Sequence, residues 1–221
     1  MKKTLMLLVF GLATFFALNV QAQEETNSPW STGLDIYSSY IWRGLKFGNG
    51  VAFQPSVKYE KGGFTFGGWG SASSSDWEAF EADLFAGYSF GAVSVNLTDY
   101  YFGGDWTNFG GMHYLEPAVN VGLEKFSFMG AYMFLPETDD KDFGEEGDVY
   151  LEASYTFPNV TLTLGAGDGQ YVRHGDFNIC NIKLSTSKDV KITDSWTLPV
   201  SGSVTLNPST GGFFVAAGLS F

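Results

Sequence analysis

The chain has 221 residues, of which 44% are hydrophobic, 17% aromatic and 16% charged, with 28 Gly, one Cys and a net charge of −12. Ordinary domains carry about 25% charged residues, so this chain is charge-poor, yet it is too apolar and aromatic for a disordered protein. A single Cys excludes an intramolecular disulfide framework or a Cys-built zinc site, and an acidic balance without a basic stripe argues against nucleic acid.

The N-terminus reads as an address. Lys2 and Lys3 precede an apolar stretch, Thr4–Leu18, and Val20-Gln21-Ala22 supplies the small residues of a cleavage site. This is a secretory signal peptide over residues 1–22, with cleavage after Ala22. An anchor helix is disfavoured because the run is shorter than the ~20 residues a span needs. A lipoprotein is disfavoured because the only Cys is Cys180. Loss of Lys2 and Lys3 leaves ten basic residues against 24 acidic ones, a net charge of −14. Residues 23–30 then form a short periplasmic segment, and 31–221 the structured domain. No later apolar run approaches the ~18 residues of a membrane helix, so transmembrane helices are excluded from the mature chain.

From residue 31 onward the dominant period is two. In chain order the alternating segments are 31–42, 51–59, 64–72, 79–90, 93–102, 112–123, 126–135, 148–157, 160–167, 177–192, 197–206 and 212–221. Val51, Phe53, Pro55, Val57 and Tyr59 alternate with Ala52, Gln54, Ser56, Lys58 and Glu60. Ala82, Leu84, Ala86 and Tyr88 alternate with Glu81, Asp83, Phe85 and Gly87. Successive strand side chains point to opposite faces, so each segment has one apolar and one small or polar face. Pro55 and Pro117 fall within spans, where a missing ladder donor calls for local bulges.

The connections alternate in length. Glu60–Gly63, Gly91–Ala92, Glu124–Lys125, Pro158–Asn159 and Thr193–Trp196 are short. Arg43–Gly50, Ser73–Glu78, Gly103–Gly111, Pro136–Gly147, Asp168–Asp176 and Asn207–Gly211 are mostly longer. Short turns on one side and longer loops on the other mark bacterial transmembrane barrels. The fold class is therefore all-β, a transmembrane antiparallel β-barrel of twelve strands with short periplasmic turns and longer extracellular loops. The alternative is a secreted sandwich or soluble barrel. Rings toward the strand ends (Tyr40, Trp42, Tyr59, Phe90, Tyr101, Phe157) favour the membrane, as interfacial girdles do.

The terminal strand ends on Phe221, which resembles the signal read by the outer-membrane barrel assembly machinery. Ser38-Ser39-Tyr40-Ile41-Trp42-Arg43-Gly44, followed by Gly62-Gly63-Phe64-Thr65-Phe66-Gly67-Gly68-Trp69-Gly70-Ser71, resembles the TorF-like porin family over residues 31–72. That resemblance implies a location in the outer membrane of a Gram-negative bacterium and a pore, with lipid and lipopolysaccharide as neighbours. It carries no ligand.

With the apolar faces toward lipid, the pore-lining candidates are Asp35, Tyr37, Arg43, Lys58, Glu81, Asp83, Glu116 and Glu152, with Glu60, Glu124 and Lys183 beside them. Inward carboxylates raise the local cation concentration, which predicts passive, cation-preferring diffusion of ions or small hydrophilic solutes. The alternatives are a closed-lumen structural or adhesive barrel, in which inward acids pair with Arg43 and Lys58, and an outer-membrane hydrolase. Twelve strands leave less room than the 16–18 of wide porins. Arg43 either binds an anionic group at the pore mouth or pairs with an inward acid such as Glu81 or Asp83.

The acidic loop Pro136–Asp148 lacks EF-hand spacing and reads as solvated. A hydrolase needs a Ser–His pair, and His113 and His174 read instead as exposed loop residues. No enzyme activity and no cofactor or metal are expected. Mass spectrometry of the exported protein is predicted to find Gln23 as the first residue; a retained Met1 would remove the signal peptide.

Overall fold

The computed structural model describes residues 28–107, 113–134 and 147–221. The segment expected to be a signal peptide, most of the acidic loop after Pro136 and residues 108–112 lie outside them. The strands are β1 (Trp30–Tyr37), β2 (Tyr40–Trp42), β3 (Leu45–Phe47), β4 (Ala52–Lys61), β5 (Phe64–Ser73), β6 (Asp76–Phe90) and β7 (Val93–Tyr101). They continue with β8 (His113–Leu123), β9 (Phe126–Met133), β10 (Asp148–Thr156), β11 (Thr161–Gly169), β12 (Gly175–Lys191), β13 (Thr197–Asn207) and β14 (Gly212–Ser220).

Twelve of these form one closed antiparallel barrel in which β1 lies between β14 and β4. Closure satisfies the last edge of the sheet, since Leu34 and Phe221 exchange both backbone hydrogen bonds at 3.0 Å. The remaining pair, β2 and β3, is a separate two-stranded hairpin. The segment expected as a single strand over 31–42 therefore breaks at Ser38-Ser39. Its second half leaves the wall, and β1 pairs directly with β4.

Register confirms the two faces. Asp35 opposes Gln54, Ser56 opposes Trp69, Asp83 opposes Tyr100, and Thr98 opposes Glu116. These rows point inward, and Gln54, Glu81, Asp83, Glu116 and Thr163 are all buried. The complementary rows are apolar and exposed: Leu84, Leu97, Leu115, Val119, Leu151, Leu164, Leu184 and Val215. A soluble sandwich would hide such residues in its core; here they coat the outside. At the short-turn end the outward rings touch in series, Trp30–Tyr59 at 5.0 Å, Tyr59–Phe66 at 4.9 Å and Phe64–Tyr88 at 4.7 Å. Phe126–Tyr155 and Tyr155–Phe157 continue the belt.

Two expectations about irregularity need correction. Pro55 and Pro117 produce no bulge: the β4–β5 and β8–β9 registers stay in phase across them, with ladder pairs missing beside each proline. A missing donor costs a bond, but nothing forces an extra residue. The bulges fall instead at Ala72/Ser73, at Gly165/Ala166 and between Gly167 and Gly169. The connection expected over Ser73–Glu78 is also only a two-residue turn, because β6 begins at Asp76.

Leu97 sits mid-strand on the outer face and is 49% exposed. Leu97→Arg is expected to cost about 2–4 kcal/mol of folding free energy in bilayers, whereas inward Ser94→Lys stays within about 0.5 kcal/mol. Urea titration in lipid vesicles reads both; equal costs would invert the assignment of faces.

Candidate functional site

The hairpin turns into the barrel. Trp42 and Leu45 are paired across a two-residue loop, Arg43-Gly44, with φ of 49° and 83°. Two positive φ values define a type I′ turn, which matches the right-handed twist of short ribbons. Arg in this conformation costs about 1–2 kcal/mol. Gly44 is required for space as well, since a Cβ there would lie 2.0 Å from the Cys180 carbonyl oxygen. The turn thus reaches across to β12.

At its tip, Arg43 meets Glu116 of β8. Nη2 donates to Oε1 at 2.8 Å, Nη1 donates to Oε2, and Nη1 also donates to the Tyr171 hydroxyl at 2.8 Å. The Tyr100 hydroxyl adds a bond to Glu116 at 3.1 Å. The two side chains are 7% and 3% exposed. The guanidinium lies 4.5 Å from the Trp42 ring and 4.4 Å from the Tyr150 ring. Burying two charges is repaid only by such geometry: a bidentate fork, hydroxyls on the remaining lone pairs, and ring faces on the cation.

Around the ion pair the upper lumen is packed. Tyr150, Tyr171, Val172 and Cys180 form the buried cluster, with Trp42 and Leu45 against it. Tyr171 comes from the connection after β11, which folds inward where an outer loop was expected. The carbonyl of Tyr171 is held by Asn207 Nδ2 at 3.0 Å. Tyr40 packs on Trp69 and points its hydroxyl at Glu81. Below the hairpin the lumen opens. A cavity of about 330 Å³ lies at the short-turn end, lined by polar groups such as Ser94, Asn120 and Glu152 and by apolar ones such as Val121, Phe128 and Met129.

The sequence candidates separate by depth. Glu81, Asp83 and Glu116 sit in the packed half. Glu152 lies lower and accepts from the Tyr150 hydroxyl at 2.7 Å and Asn181 Nδ2 at 3.3 Å. Asp35 and Tyr37 face inward on β1, Tyr37 lying over Gly218, where a Cβ would meet its ring at 2.3 Å. Lys58 is in the open half, paired with Glu60 at 2.7 Å. Lys183 opposes Thr163 on the inward face. Arg43 sits at the tip of the inward hairpin and pairs with an inward acid as expected, though that acid is Glu116 rather than Glu81 or Asp83.

Tyr40 and Trp42, expected in the outer girdle, are inside because their strand left the wall. Tyr100, Tyr150, Tyr171 and Asn181 were not singled out by sequence. The signal for two of them, Tyr100 and Tyr150, was present as tyrosines on small or polar strand faces; Tyr171 lies in a connection, where no period marks it.

His113 is also corrected. It is 4% exposed, on the outward row of β8, with Nδ1 2.9 Å from Asp99 and Nε2 2.9 Å from the Trp106 carbonyl. The connection after β7 straps over this pair, Trp106 stacking edge-on against Tyr101 at 4.6 Å. In the same connection, bonds from the Thr107 hydroxyl and amide hold the Asp105 carboxyl below its ordinary range. His174 is exposed as expected.

Residues 22–197 match a family described as "Bacterial protein of unknown function (Gcw_chp)". The chain belongs to this family. The likeness of residues 31–72 to TorF-like porins rests on their motifs alone. No curated protein matches the chain. Similar solved structures include engineered variants of the Rhodopseudomonas blastica porin, at 15% identity and TM-score 0.44, covering 77% of this chain and 55% of that one. A further one, described as "Asymmetric conductivity of engineered proteins", has TM-score 0.43 at the same identity and coverage. The chain thus spans about half the length of the porin chains it matches, and its twelve-strand closure rests on its own register.

Arg43→Ala strands a buried carboxylate and is expected to cost about 3–5 kcal/mol, while Arg43→Met with Glu116→Leu costs markedly less. Urea melts of the two variants test this. If the single change is the milder one, the pair does not hold the hairpin.

Proposed function

We propose that the protein is an outer-membrane channel of a Gram-negative bacterium, narrowed by the β2–β3 hairpin, passing small ions and hydrophilic solutes with a preference for cations. One observation carries this reading: a hairpin pinned by a buried ion pair divides a closed barrel into a packed half and an open half that holds a cavity. An apolar, ring-girdled exterior suits lipid and lipopolysaccharide, and a polar interior suits water. The outward Phe221 that follows β14 suits recognition by the barrel assembly machinery.

Charge supports the preference. Arg43 is neutralised by Glu116 and Lys58 by Glu60. Lys183 and the hairpin's Lys46 then stand against Asp35, Glu81, Asp83, Asp148 and Glu152, so the interior is net acidic, and rings of inward acid favour cations. The protein is read as non-enzymatic. His113, the histidine with an acidic partner, has both ring nitrogens engaged on the outer face, away from any lumen substrate.

A closed-lumen structural barrel is the second reading, favoured by the completely buried Tyr150, Tyr171 and Cys180. Planar-bilayer recording separates the two. Wild type is expected to show a small unitary conductance with a reversal potential displaced toward that of potassium in a KCl gradient. Replacing Ser39–Gly48 by a short turn is expected to raise conductance severalfold. Silence from wild type would favour the structural barrel, anion preference would remove the charge argument, and equal conductance would show that the hairpin does not constrict.

A further inference from the structure

β1 and β14 pair over three residues only: Asp35 with Ser220, Ile36 with Leu219 and Tyr37 with Gly218. The next rung is half made. The Ser38 N–H donates to the Ala217 carbonyl at 2.8 Å, but the Ala217 N–H donates to the Ser38 hydroxyl at 3.0 Å, in place of the Ser38 carbonyl. Above this rung β1 turns inward, while β14 extends up to Gly212. Phe213 and Val215 share the parity of Ala217, so their N–H and C=O groups point to the side that β1 has left. Among the described residues no strand pairs with them there. Their side chains are 65% and 64% exposed, the highest of the large apolar residues described.

An open strand edge against lipid is costly, because hydrocarbon offers its polar groups no partner. The segment that would cover it is the one that left. Extending the β1–β14 register sets Tyr40 opposite Val215 and Trp42 opposite Phe213, with both rings on the outward row. The alternation in the sequence runs on through residue 42 in that same phase. β2 also stands beside this edge as it enters the lumen. Both arms have a pivot. One is Ser38-Ser39. The other is Gly48, at φ 62°, because the Asn49 and Val51 carbonyls stay bonded to Ser75 and Ser74 of the β5–β6 turn.

We infer that the β2–β3 hairpin is a gate with two seats: an inward one held by Arg43 and Glu116, and one in the wall, where residues 39–42 zip onto β14. In the wall seat the Ala217 N–H passes from the Ser38 hydroxyl to the Ser38 carbonyl, and the backbone of Val215 and Phe213 gains its partners. The ion pair and the ring contacts of Trp42 are given up, and the upper lumen widens. The effect on current rests on the channel reading; the change of seat does not. Two substitutions outside the ion pair shift the balance in opposite directions. Ser38→Ala removes an acceptor used only in the inward seat. Val215→Pro removes a donor used only in the wall seat, and proline is tolerated on a strand edge.

The test is disulfide trapping in the full chain, folded in lipid vesicles, with Cys180→Ala as background. Trp42 lies in the lumen against Tyr171, and Phe213 faces outward. Trp42→Cys and Phe213→Cys therefore reach the Cα separation of about 4.4–6.8 Å that a disulfide needs only in the wall seat. Oxidation is expected to close the bond within single chains, severalfold faster with Ser38→Ala and severalfold slower with Val215→Pro. Should the cysteine pair not fold, brominated lipid decides with Trp42 intact. The Trp42 fluorescence, taken as the difference from Trp42→Phe in each background, is expected to be quenched more in Ser38→Ala than in Val215→Pro.

Absence of the disulfide overturns the gate, as do trapping rates or quenching indifferent to both substitutions. In planar bilayers the wall seat is expected as a second, larger conductance level, occupied more in Ser38→Ala. A disulfide in a protein that passes no current leaves the two-seat hairpin standing and removes the channel. Current at a single level without a disulfide does the reverse.

Discussion

The interior of this barrel is organised by the ion pair between Arg43 and Glu116. A twelve-stranded wall closes by its own hydrogen bonds, but nothing in a wall determines what fills it. Here a hairpin with arms of three residues crosses the lumen. Such a short ribbon is unstable alone in water. Its position depends on what its tip touches, and the tip is a guanidinium held by a carboxylate, a phenol and two ring faces. The unfavourable backbone at Arg43 is tolerated because these contacts over-determine it.

From that pin follows the asymmetry of the two halves. Trp42 can meet Tyr171 and Tyr100 at 5.6 and 5.8 Å because the turn beyond it is anchored. The connection after β11 folds inward to complete the ring cluster, and its Val172 is buried in turn. Around the cavity several inward positions are Ser, Asn and Gly, such as Ser94, Asn120, Gly122 and Ser127. These short side chains cannot span the lumen, so a cavity remains there. One half is packed as a protein core and the other is lined as a vessel.

The wall was legible in the sequence because period two is a local property. All twelve barrel spans were recoverable from alternation, and three of the five short turns carry Gly, Pro or Asn. Inward acids were recoverable from parity alone. The hairpin was not, since Tyr40-Ile41-Trp42 continues the apolar pattern of β1 and nothing local marks the break at Ser38-Ser39 as a change of direction. An aromatic residue at a strand end fits a lipid girdle and a lumen cluster equally well. The choice depends on Glu116, 73 residues away. His113 was missed for a similar reason. Its burial is created by Trp106 folding back over the wall, a tertiary event with no period.

Why the pin should be ionic follows from the shape of the problem. Apolar contacts are non-directional, and a ring cluster would accept the hairpin in several orientations at similar cost. A bidentate fork accepts one, because both nitrogens must meet both oxygens in a plane. Shifting the ribbon by one residue would exchange its faces, withdraw the guanidinium from Glu116 and drive a Cβ into the Cys180 carbonyl. The charged contact thus selects a single register for a segment too small to select its own. That contact must also stay dry, and the rings of Trp42, Tyr150 and Tyr171 supply the shield. Position comes from the charge, and the charge keeps its strength because the rings exclude water.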